Sequence, residues 1–255
     1  AVYRDRETVD ADGKRYGLYA NIGSPAEAEA AAAAGAEGVG LFRTEFLFMD
    51  LTSVPSETEQ MEAYQAVSRT MAGKDVIIRT LDVGGDKAID YLGMEQEENP
   101  FLGHRAIRYC LDRPELYKVQ LRALLRAGAE LRNIKIMLPL VTSLEEIRGA
   151  RALLEQCKSE LEAEGLPYDK DISLGIMVET PAAALIADLL AQESDFFSIG
   201  TNDLTQYVMA VDRGNAKVEK LYTTFHPAVL RSIRNVIQAA KQAGIPVGMC
   251  GEAAA

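Results

Sequence analysis

The chain has 255 residues and a formal net charge of −11, with 48% hydrophobic and 25% charged residues. This composition is typical of a folded protein with a sizeable core and excludes a disordered chain. The acidic balance excludes the broad basic face with which proteins bind nucleic acids or anionic membranes, although a local basic pocket remains compatible with it.

A short polar lead, residues 1–15, contains a turn at Asp12-Gly13. The chain begins with Ala1, which indicates either a piece of a longer protein or removal of an initiator Met. We expect the lead to be a linker from a preceding domain and the main domain to occupy 16–255. There, apolar runs alternate with helical patterns; the runs are 16–22, 37–42, 75–80, 134–141, 173–179, 196–199 and 246–250. Nearly continuous apolar runs are typical of parallel strands covered on both faces.

Helix starts are marked by the capping-box pattern, Ser-x-x-Glu, at 24–27, 56–59 and 143–146. In this pattern the Ser oxygen and the Glu carboxylate accept hydrogen bonds from backbone N–H groups of the first turn. The repeated alternation of strand and helix at about this length predicts an α/β fold, a (β/α)8 TIM-type barrel. Only seven strands are found, and the seventh ends at Cys250, so we expect the eighth strand and helix to be missing.

Other classes of protein are weakly indicated or excluded. The three cysteines are far apart, which favours reduced thiols in a cytoplasmic protein over disulfides or a zinc site. No apolar run approaches the ~20 residues that cross a membrane, so we expect no membrane insertion. A Gly-x-Gly pair, Gly38 and Gly40, lacks the rest of a dinucleotide-binding fingerprint.

Arginines mark the ends of two strands and the loops that follow. Arg43 and Arg79 end strands two and three, and Arg105 and Arg213 lie in later loops. The carboxyl ends of barrel strands converge on one face, where barrel enzymes have their active sites. For each arginine taken singly, an ion pair within the protein is an equal alternative. Arg43 could pair with Glu45 or Glu37, and Arg79 with Asp82. Together the arginines predict a site for a small, highly anionic phosphorylated substrate, because buried cations need anionic partners.

Two carboxylates, Glu179 and Asp203, follow neighbouring strands. Both should point into the mouth of the barrel, the opening at the carboxyl ends of its strands. Two carboxylates with water and substrate oxygens are a usual donor set for Mg²⁺. Ion pairs with the arginines are the first alternative. A glycosidase acid–base pair is the second, but an uncharged sugar would not require the arginines.

Cys250 ends the seventh strand at the same face, next to Gly251. A thiol at this position could be a nucleophile or a proton donor. The chain has only two histidines, His104 and His226, and neither is adjacent to Cys250 in sequence. Proton donation to a carbon is therefore favoured over a Cys–His pair, which remains an alternative.

Seven segments near the strand ends form specific motifs; they are 40–50, 79–87, 99–108, 178–184, 200–207, 211–215 and 248–252. Together they resemble the phosphoenolpyruvate-utilising enzymes, above all the C-terminal domain of Enzyme I of the bacterial sugar phosphotransferase system. Pyruvate phosphate dikinase and phosphoenolpyruvate synthase share several of these motifs. The segments FLFMD, VGGDK and VDRGN favour the Enzyme I type.

The resemblance implies that the chain binds phosphoenolpyruvate and Mg²⁺. With a separate N-terminal phosphohistidine domain, it would transfer the phosphoryl group to a histidine and release pyruvate. By this resemblance, Arg43, Arg79 and Arg213 would contact the phosphate, and Arg105 would help to orient the substrate. Asn202 would bind the substrate through its side chain or backbone amide. Glu179 and Asp203 would bind Mg²⁺, and Cys250 would protonate the methylene carbon of the enolate.

The phosphohistidine domain, which in the family also docks the histidine-containing phosphocarrier protein, is not found in the sequence. We therefore expect this chain to bind phosphoenolpyruvate without completing the transfer by itself. A homodimer is left open, because the family segment after Glu252 carries part of the dimer contact. Two further alternatives are the corresponding domain of a dikinase or synthase, and a binding-only module without turnover.

Overall fold

The computed structural model describes residues 7–49, 51–85 and 89–254. It begins with an antiparallel hairpin of two short strands, β1 (Thr8–Val9) and β2 (Arg15–Tyr16). A seven-stranded parallel sheet follows, with its strands in chain order: β3 (Ala20–Ile22), β4 (Val39–Arg43), β5 (Val76–Arg79), β6 (Ile134–Leu138), β7 (Ser173–Val178), β8 (Phe197–Gly200) and β9 (Val247–Cys250). The sheet curves into a nearly closed barrel, so the predicted α/β barrel with seven strands is confirmed.

Helices cover the outside of the barrel. The α-helices among the described residues are α1 (Pro25–Ala34), α2 (Glu45–Met49), α3 (Glu57–Thr70), α4 (Ile107–Asp112), α5 (Pro114–Gly128), α6 (Leu144–Ala163), α7 (Pro181–Leu185), α8 (Ala187–Leu190), α9 (Thr201–Met209) and α10 (Pro227–Ala243). Short 3-10 helices lie at Asp90–Leu92, Pro100–Leu102, Glu219–Leu221 and Glu252–Ala254. Across the described ranges, no helix combines the length and apolarity needed to cross a bilayer.

The apolar interior forms two layers, because the strands bury side chains on both faces. The larger layer fills the space between the strands and the surrounding helices. The smaller layer lies inside the barrel and contains Leu41, Met137, Met177 and Phe196, with Ile77 and Cys250 packed against them. These residues come from six different strands or their edges, and they form the floor below the carboxyl ends of the strands.

The prediction of one strand over 16–22 was wrong. Tyr16 pairs with Thr8 in the hairpin, whereas Ala20 pairs with Val39 in the barrel. The chain folds back because Asp10 accepts hydrogen bonds from two backbone N–H groups of the turn, which fixes the hairpin before the barrel begins. A polar turn residue of this kind is a local signal that competes with strand continuation.

The capping predictions differ in their outcome. The boxes at 56–59 and 143–146 are complete, with both reciprocal hydrogen bonds present. At 24–27, Ser24 caps α1, but the Glu27 carboxylate accepts from the N–H of Gly23 rather than of Ser24. The helix start was therefore predicted correctly, and only the second half of the box was wrong.

The Gly-x-Gly pair has a packing role. A Cβ atom at Gly38 would lie 2.5 Å from the ring of Tyr19, and one at Gly40 would lie 2.9 Å from the Tyr19 Cβ. Real Cβ atoms do not approach other atoms so closely. The two glycines thus make room for a tyrosine on the adjacent strand edge, which accounts for the pair without a nucleotide.

Candidate functional site

Arg43 and Arg79 are register partners at the carboxyl ends of β4 and β5. Two residues before them, Leu41 and Ile77 belong to the layer inside the barrel. Because residues two apart on a strand share a face, both arginines project from the inner side of the barrel at its mouth. The Arg79 guanidinium confirms this direction, since Nη1 donates to the Sδ of Met177 at 3.8 Å.

Arg79 is held by two buried carboxylates. Its Nη2 lies 2.6 Å from Glu45 Oε1 and 3.0 Å from Asp82 Oδ2. All three side chains are almost fully buried. Burial opposes the charge of Arg79, but Asp82 and Glu45 together raise the pKa of the guanidinium above its ordinary value. The alternative of an ion pair within the protein is therefore seen at Arg79.

Arg105 lies deeper than the sequence suggested, with 2% of its side chain exposed. Its Nη2 contacts Asp82 at 2.9 Å and Asp203 at 3.4 Å, and its Nη1 donates to the Tyr207 hydroxyl at 3.2 Å. The guanidinium also stands over the ring of Phe101 at 5.6 Å. Asp82 thus joins Arg79 to Arg105, because each of its oxygens binds one of the two arginines.

Arg213 and Asn202 lie at the outer part of the mouth. Arg213 is one-third exposed, and its Nη1 contacts Asp203 Oδ1 at 3.0 Å. The Asn202 side-chain oxygen accepts from the N–H of Glu252 at 3.0 Å, while its carbonyl accepts from the Tyr222 hydroxyl at 3.1 Å. The side-chain amide nitrogen of Asn202 is the group that can donate a hydrogen bond to a ligand.

Arg43 differs from the other three arginines. Its guanidinium stacks on Phe46, with 4.6 Å between the guanidinium carbon and the ring centroid. Its Nε is buried without a hydrogen-bond partner among the described residues, as are the Nε atoms of Arg79 and Arg105, but no carboxylate pairs with Arg43 in that part of the chain. Buried charged donors are normally satisfied. Arg43 is therefore the arginine whose binding capacity is most clearly available to an anion.

Glu179 is almost fully buried, and its Oε1 accepts from the N–H of Leu140 at 2.8 Å. Leu140 has a φ of 55°, which is rare for a bulky residue. This conformation is incompatible with a strand, so β6 ends at Leu138, before the predicted end of the apolar run at residue 141. Burial and then the charge of Asp203 raise the pKa of Glu179 to about 8. The two predicted metal ligands are thus close enough to repel each other.

The donor set suits Mg²⁺ when a substrate supplies further oxygens. Mg²⁺ is usually bound through one or two carboxylates, phosphates and water, and a divalent cation would offset the repulsion between Glu179 and Asp203. No group of three or more Asp, Glu, His or Cys poised for a metal occurs among the described residues. Both oxygens of Asp203 contact arginines, so the ion-pair alternative also applies to this residue.

Cys250 lies half-buried at the end of β9. Its Sγ contacts the carbonyl oxygen of Ile199 at 3.6 Å and the hydroxyl of Ser198 at 3.8 Å. Burial raises the pKa of the thiol to about 11. At neutral pH the sulfur therefore carries its proton, which suits an acid better than a nucleophile.

The two histidines have other partners. His104 Nε2 lies 3.5 Å from Asp112, and its ring packs on Tyr109. His226 caps α10, where its Nδ1 accepts from the N–H of Ala228 at 3.2 Å. Neither forms a hydrogen bond with Cys250 within the described structure, which argues against the Cys–His alternative.

The structure brings all eight predicted site residues to one mouth, and their individual roles remain predictions. Sequence reasoning offered Asp82 as a partner of Arg79, which the structure confirms, but it offered Glu45 as a partner of Arg43 rather than of Arg79. Tyr207 was missed as a partner of Arg105. Lys87, which closes the motif at 79–87, lies outside the described residues.

Comparisons with known proteins find a family and relatives that match almost the whole chain. The PEP-binding domain model of the PEP-utilising enzymes matches residues 1–255. The phosphoenolpyruvate-protein phosphotransferase of Staphylococcus carnosus (strain TM300) is 53% identical over 251 residues, and that of Haemophilus influenzae is 50% identical over 254 residues. These matches cover 98% and 100% of the chain and 44% of each relative. The chain thus spans less than half the length of these proteins.

Solved structures show the same fold at low sequence identity. An HpcH/Hpal aldolase/citrate lyase family protein from Burkholderia cenocepacia J2315 superimposes with a TM-score of 0.57 at 17% identity. The superposition covers 94% of this chain and 80% of the other. At this identity the likeness concerns the barrel architecture alone.

Proposed function

The chain belongs to the phosphoenolpyruvate-utilising enzymes through their PEP-binding domain, and from this premise we propose that it binds phosphoenolpyruvate with Mg²⁺ at the mouth of its barrel. The observation that carries the proposal is Arg43, which has no carboxylate partner among the described residues and stands beside Arg79 in the strand register. Arginine forks match phosphate and carboxylate oxygens, and phosphoenolpyruvate presents both groups on a small skeleton.

The charge balance of the mouth supports the need for a metal. Four arginines are matched by four acids; these residues are Arg43, Arg79, Arg105 and Arg213, with Glu45, Asp82, Glu179 and Asp203. Because the pKa of Glu179 is raised to about 8, this acid is mostly protonated at neutral pH and the set carries a small positive charge, which a highly charged anion would outweigh. When bound by Glu179 and Asp203, Mg²⁺ would neutralise charge on the phosphate and enolate oxygens.

The arginines differ in how they would contact the phosphate. The guanidinium N–H groups of Arg43 are available to donate to a phosphate oxygen. Arg79 is anchored by Nη2, while its Nη1 meets only the weak acceptor sulfur of Met177, which a phosphate oxygen can replace. Arg213 is one-third exposed, so it can turn toward a ligand at little cost. Arg105, fixed by Asp82, would orient the substrate, with the Asn202 amide as a further donor.

The proposed reaction breaks the bond between phosphorus and the enolate oxygen. The phosphoryl group passes to an imidazole nitrogen of a histidine in a separate N-terminal phosphohistidine domain. The pyruvate enolate that leaves takes a proton at its methylene carbon from the Cys250 thiol, and the thiolate then regains a proton from water. A thiol pKa of about 11 supports this role, since the acid is fully protonated before the reaction.

The wider pathway is proposed on the names of the relatives, which are phosphoenolpyruvate-protein phosphotransferases. We place this chain at the first step of the sugar phosphotransferase system, in the cytoplasm. The phosphohistidine domain would pass the group on to the histidine-containing phosphocarrier protein. The free thiols of all three cysteines are compatible with that compartment.

The test is pyruvate release from the chain mixed with a separately produced phosphohistidine domain of a relative. We expect pyruvate, followed by lactate dehydrogenase and NADH, in an amount equal to the phosphorylated domain and without nucleotide or inorganic phosphate. A domain with its acceptor histidine replaced by Ala is the control. A requirement for nucleotide or inorganic phosphate would favour a dikinase or synthase. Binding of phosphoenolpyruvate without pyruvate release would favour a binding-only module.

A further inference from the structure

Gln120 on α5 connects the ends of the two strands that carry Arg43 and Arg79. Its side chain is 1% exposed. The amide oxygen accepts from the N–H of Leu81 at 2.9 Å, and the amide nitrogen donates to the Thr44 hydroxyl at 3.2 Å. Thr44 directly follows Arg43, and Leu81 lies two residues after Arg79. One buried amide thus holds both strand ends.

The direction of each hydrogen bond in this group is fixed. The Thr44 hydroxyl donates its only proton to the Arg79 carbonyl at 2.8 Å, so it can only accept from Gln120. The Tyr64 hydroxyl also contacts the Gln120 nitrogen, at 3.2 Å, and donates its proton to Gln60. The amide of Gln120 therefore has one orientation that satisfies all its partners.

The far end of the group is anchored away from the mouth. Gln60 on α3 is buried, and its amide nitrogen donates to the carbonyl of Pro55 at 2.9 Å. The chain of bonds thus runs from the outer helices to the Arg79 carbonyl without a break. A satisfied buried network of this kind makes its members rigid with respect to one another.

Each strand-end contact lies next to charged residues of the site. Thr44 stands between Arg43 and Glu45, and Leu81 precedes Asp82. Shifts at these two backbone positions would move both an arginine and its counter-ion. Charge-assisted bonds depend on such spacing, because a bidentate contact with an anion is lost within a small displacement.

We propose that Gln120 is a positioning residue for the anion site. It sets the separation of the Arg43 and Arg79 guanidinium groups without touching the substrate, and this role rests on the proposed binding of phosphoenolpyruvate. The substitution Gln120→Leu keeps most of the volume and removes all three amide contacts. Thr44→Val removes the hydroxyl that accepts the hydrogen bond from Gln120 and keeps the branched shape of the side chain.

The experiment is calorimetric titration of phosphoenolpyruvate into the chain with Mg²⁺. We expect Gln120→Leu and Thr44→Val each to weaken binding about tenfold. The double variant should lose little more than either single one, because both remove the same link. Thr44→Ser, which keeps the hydroxyl, should restore binding.

A matched control is Asn133, a buried amide at the amino end of the barrel. Its nitrogen donates to the carbonyls of Ser68, Met71 and Lys74 at 3.0–3.1 Å, far along the strands from the mouth. Asn133→Leu should lower the midpoint of thermal unfolding as Gln120→Leu does, with the dissociation constant unchanged. Equal weakening in Asn133→Leu would show a general loss of stability and overturn the inference.

The remaining outcomes separate the two proposals. If the unmodified chain does not bind phosphoenolpyruvate, the proposed function and this inference fall together. If it binds, and both Gln120→Leu and Thr44→Val bind equally well, only the inference is overturned. Should Gln120→Leu not fold, as judged by circular dichroism, Thr44→Val alone decides.

Discussion

Gly200 lies directly against Glu179: a Cβ atom at position 200 would come within 2.7 Å of the Glu179 Oε2. The two residues belong to neighbouring strands, β8 and the end of β7, at the mouth of the barrel. The glycine is therefore needed for the close approach of the carboxylate, since any side chain would displace it.

Replacing Gly200 should disturb the proposed metal ligand. We expect Gly200→Ala to push Glu179 away from Asp203 and to weaken Mg²⁺-dependent binding of phosphoenolpyruvate at least tenfold in calorimetry. Gly248→Ala is the matched control, because Gly248 pairs with Ser198 on the next strand and a Cβ there meets nothing within 4 Å. Equal effects of the two substitutions would contradict this account of Gly200.

Arg43 and Arg79 should respond differently to removal. Arg43→Ala takes away a guanidinium with an unpartnered Nε, so we expect phosphoenolpyruvate binding to weaken by about 1.5–3 kcal/mol with little loss of stability. Titration calorimetry and urea unfolding of the same preparation measure the two quantities.

Arg79→Met, by contrast, removes the buried cation that Glu45 and Asp82 share, while Asp82 keeps its contact with Arg105. Breaking a buried ion pair in this way costs about 3–5 kcal/mol, so the free energy of unfolding should fall by that order. A variant as stable as the unmodified chain would show that the two acids do not depend on Arg79.

The thiol of Cys250 should react slowly at neutral pH. Because its pKa is raised to about 11, the thiolate fraction grows about tenfold per pH unit between pH 7 and 10, whereas an ordinary cysteine, with a pKa of about 8.5, is almost fully ionised by about pH 10. Iodoacetamide labelling, quantified at the Cys250 peptide by mass spectrometry, should rise throughout this range. Labelling that levels off by pH 10 would contradict the raised pKa.

Removing the thiol should separate binding from turnover. Cys250→Ala is expected to bind phosphoenolpyruvate with Mg²⁺ as the unmodified chain does, yet to release pyruvate more slowly when the phosphohistidine domain is added. Stopped-flow measurement of pyruvate formation gives the rate. Normal release in this variant would assign the proton donor to another group.

The barrel could be predicted because its signals are local. Continuous apolar runs and Ser caps such as Ser56 and Ser143 depend on neighbours in sequence, and they place strands and helix starts well. The split of the run 16–22 between two strands could not be predicted from local patterns, because Tyr16 pairs with Thr8 after the chain folds back on itself.

The site could be predicted as a set of residues but not as a set of contacts. Arg79 and Arg105 were placed at the mouth from their positions after strands. The ion pair of Arg79 with Asp82 is local, but the contact of Asp82 with Arg105 depends on how two loops pack, which no local pattern reports. The same holds for Gln120, since a lone polar residue on an otherwise apolar helix face does not reveal which backbone groups it meets.

The measurement that tests the central claim most directly is calorimetric titration of phosphoenolpyruvate into the chain, with and without Mg²⁺, for the unmodified chain and for Arg43→Ala. We expect phosphoenolpyruvate binding to strengthen with Mg²⁺ and to be weaker in Arg43→Ala. A folded chain that shows no Mg²⁺-dependent binding, or an Arg43→Ala variant that binds as tightly as the unmodified chain, would contradict it.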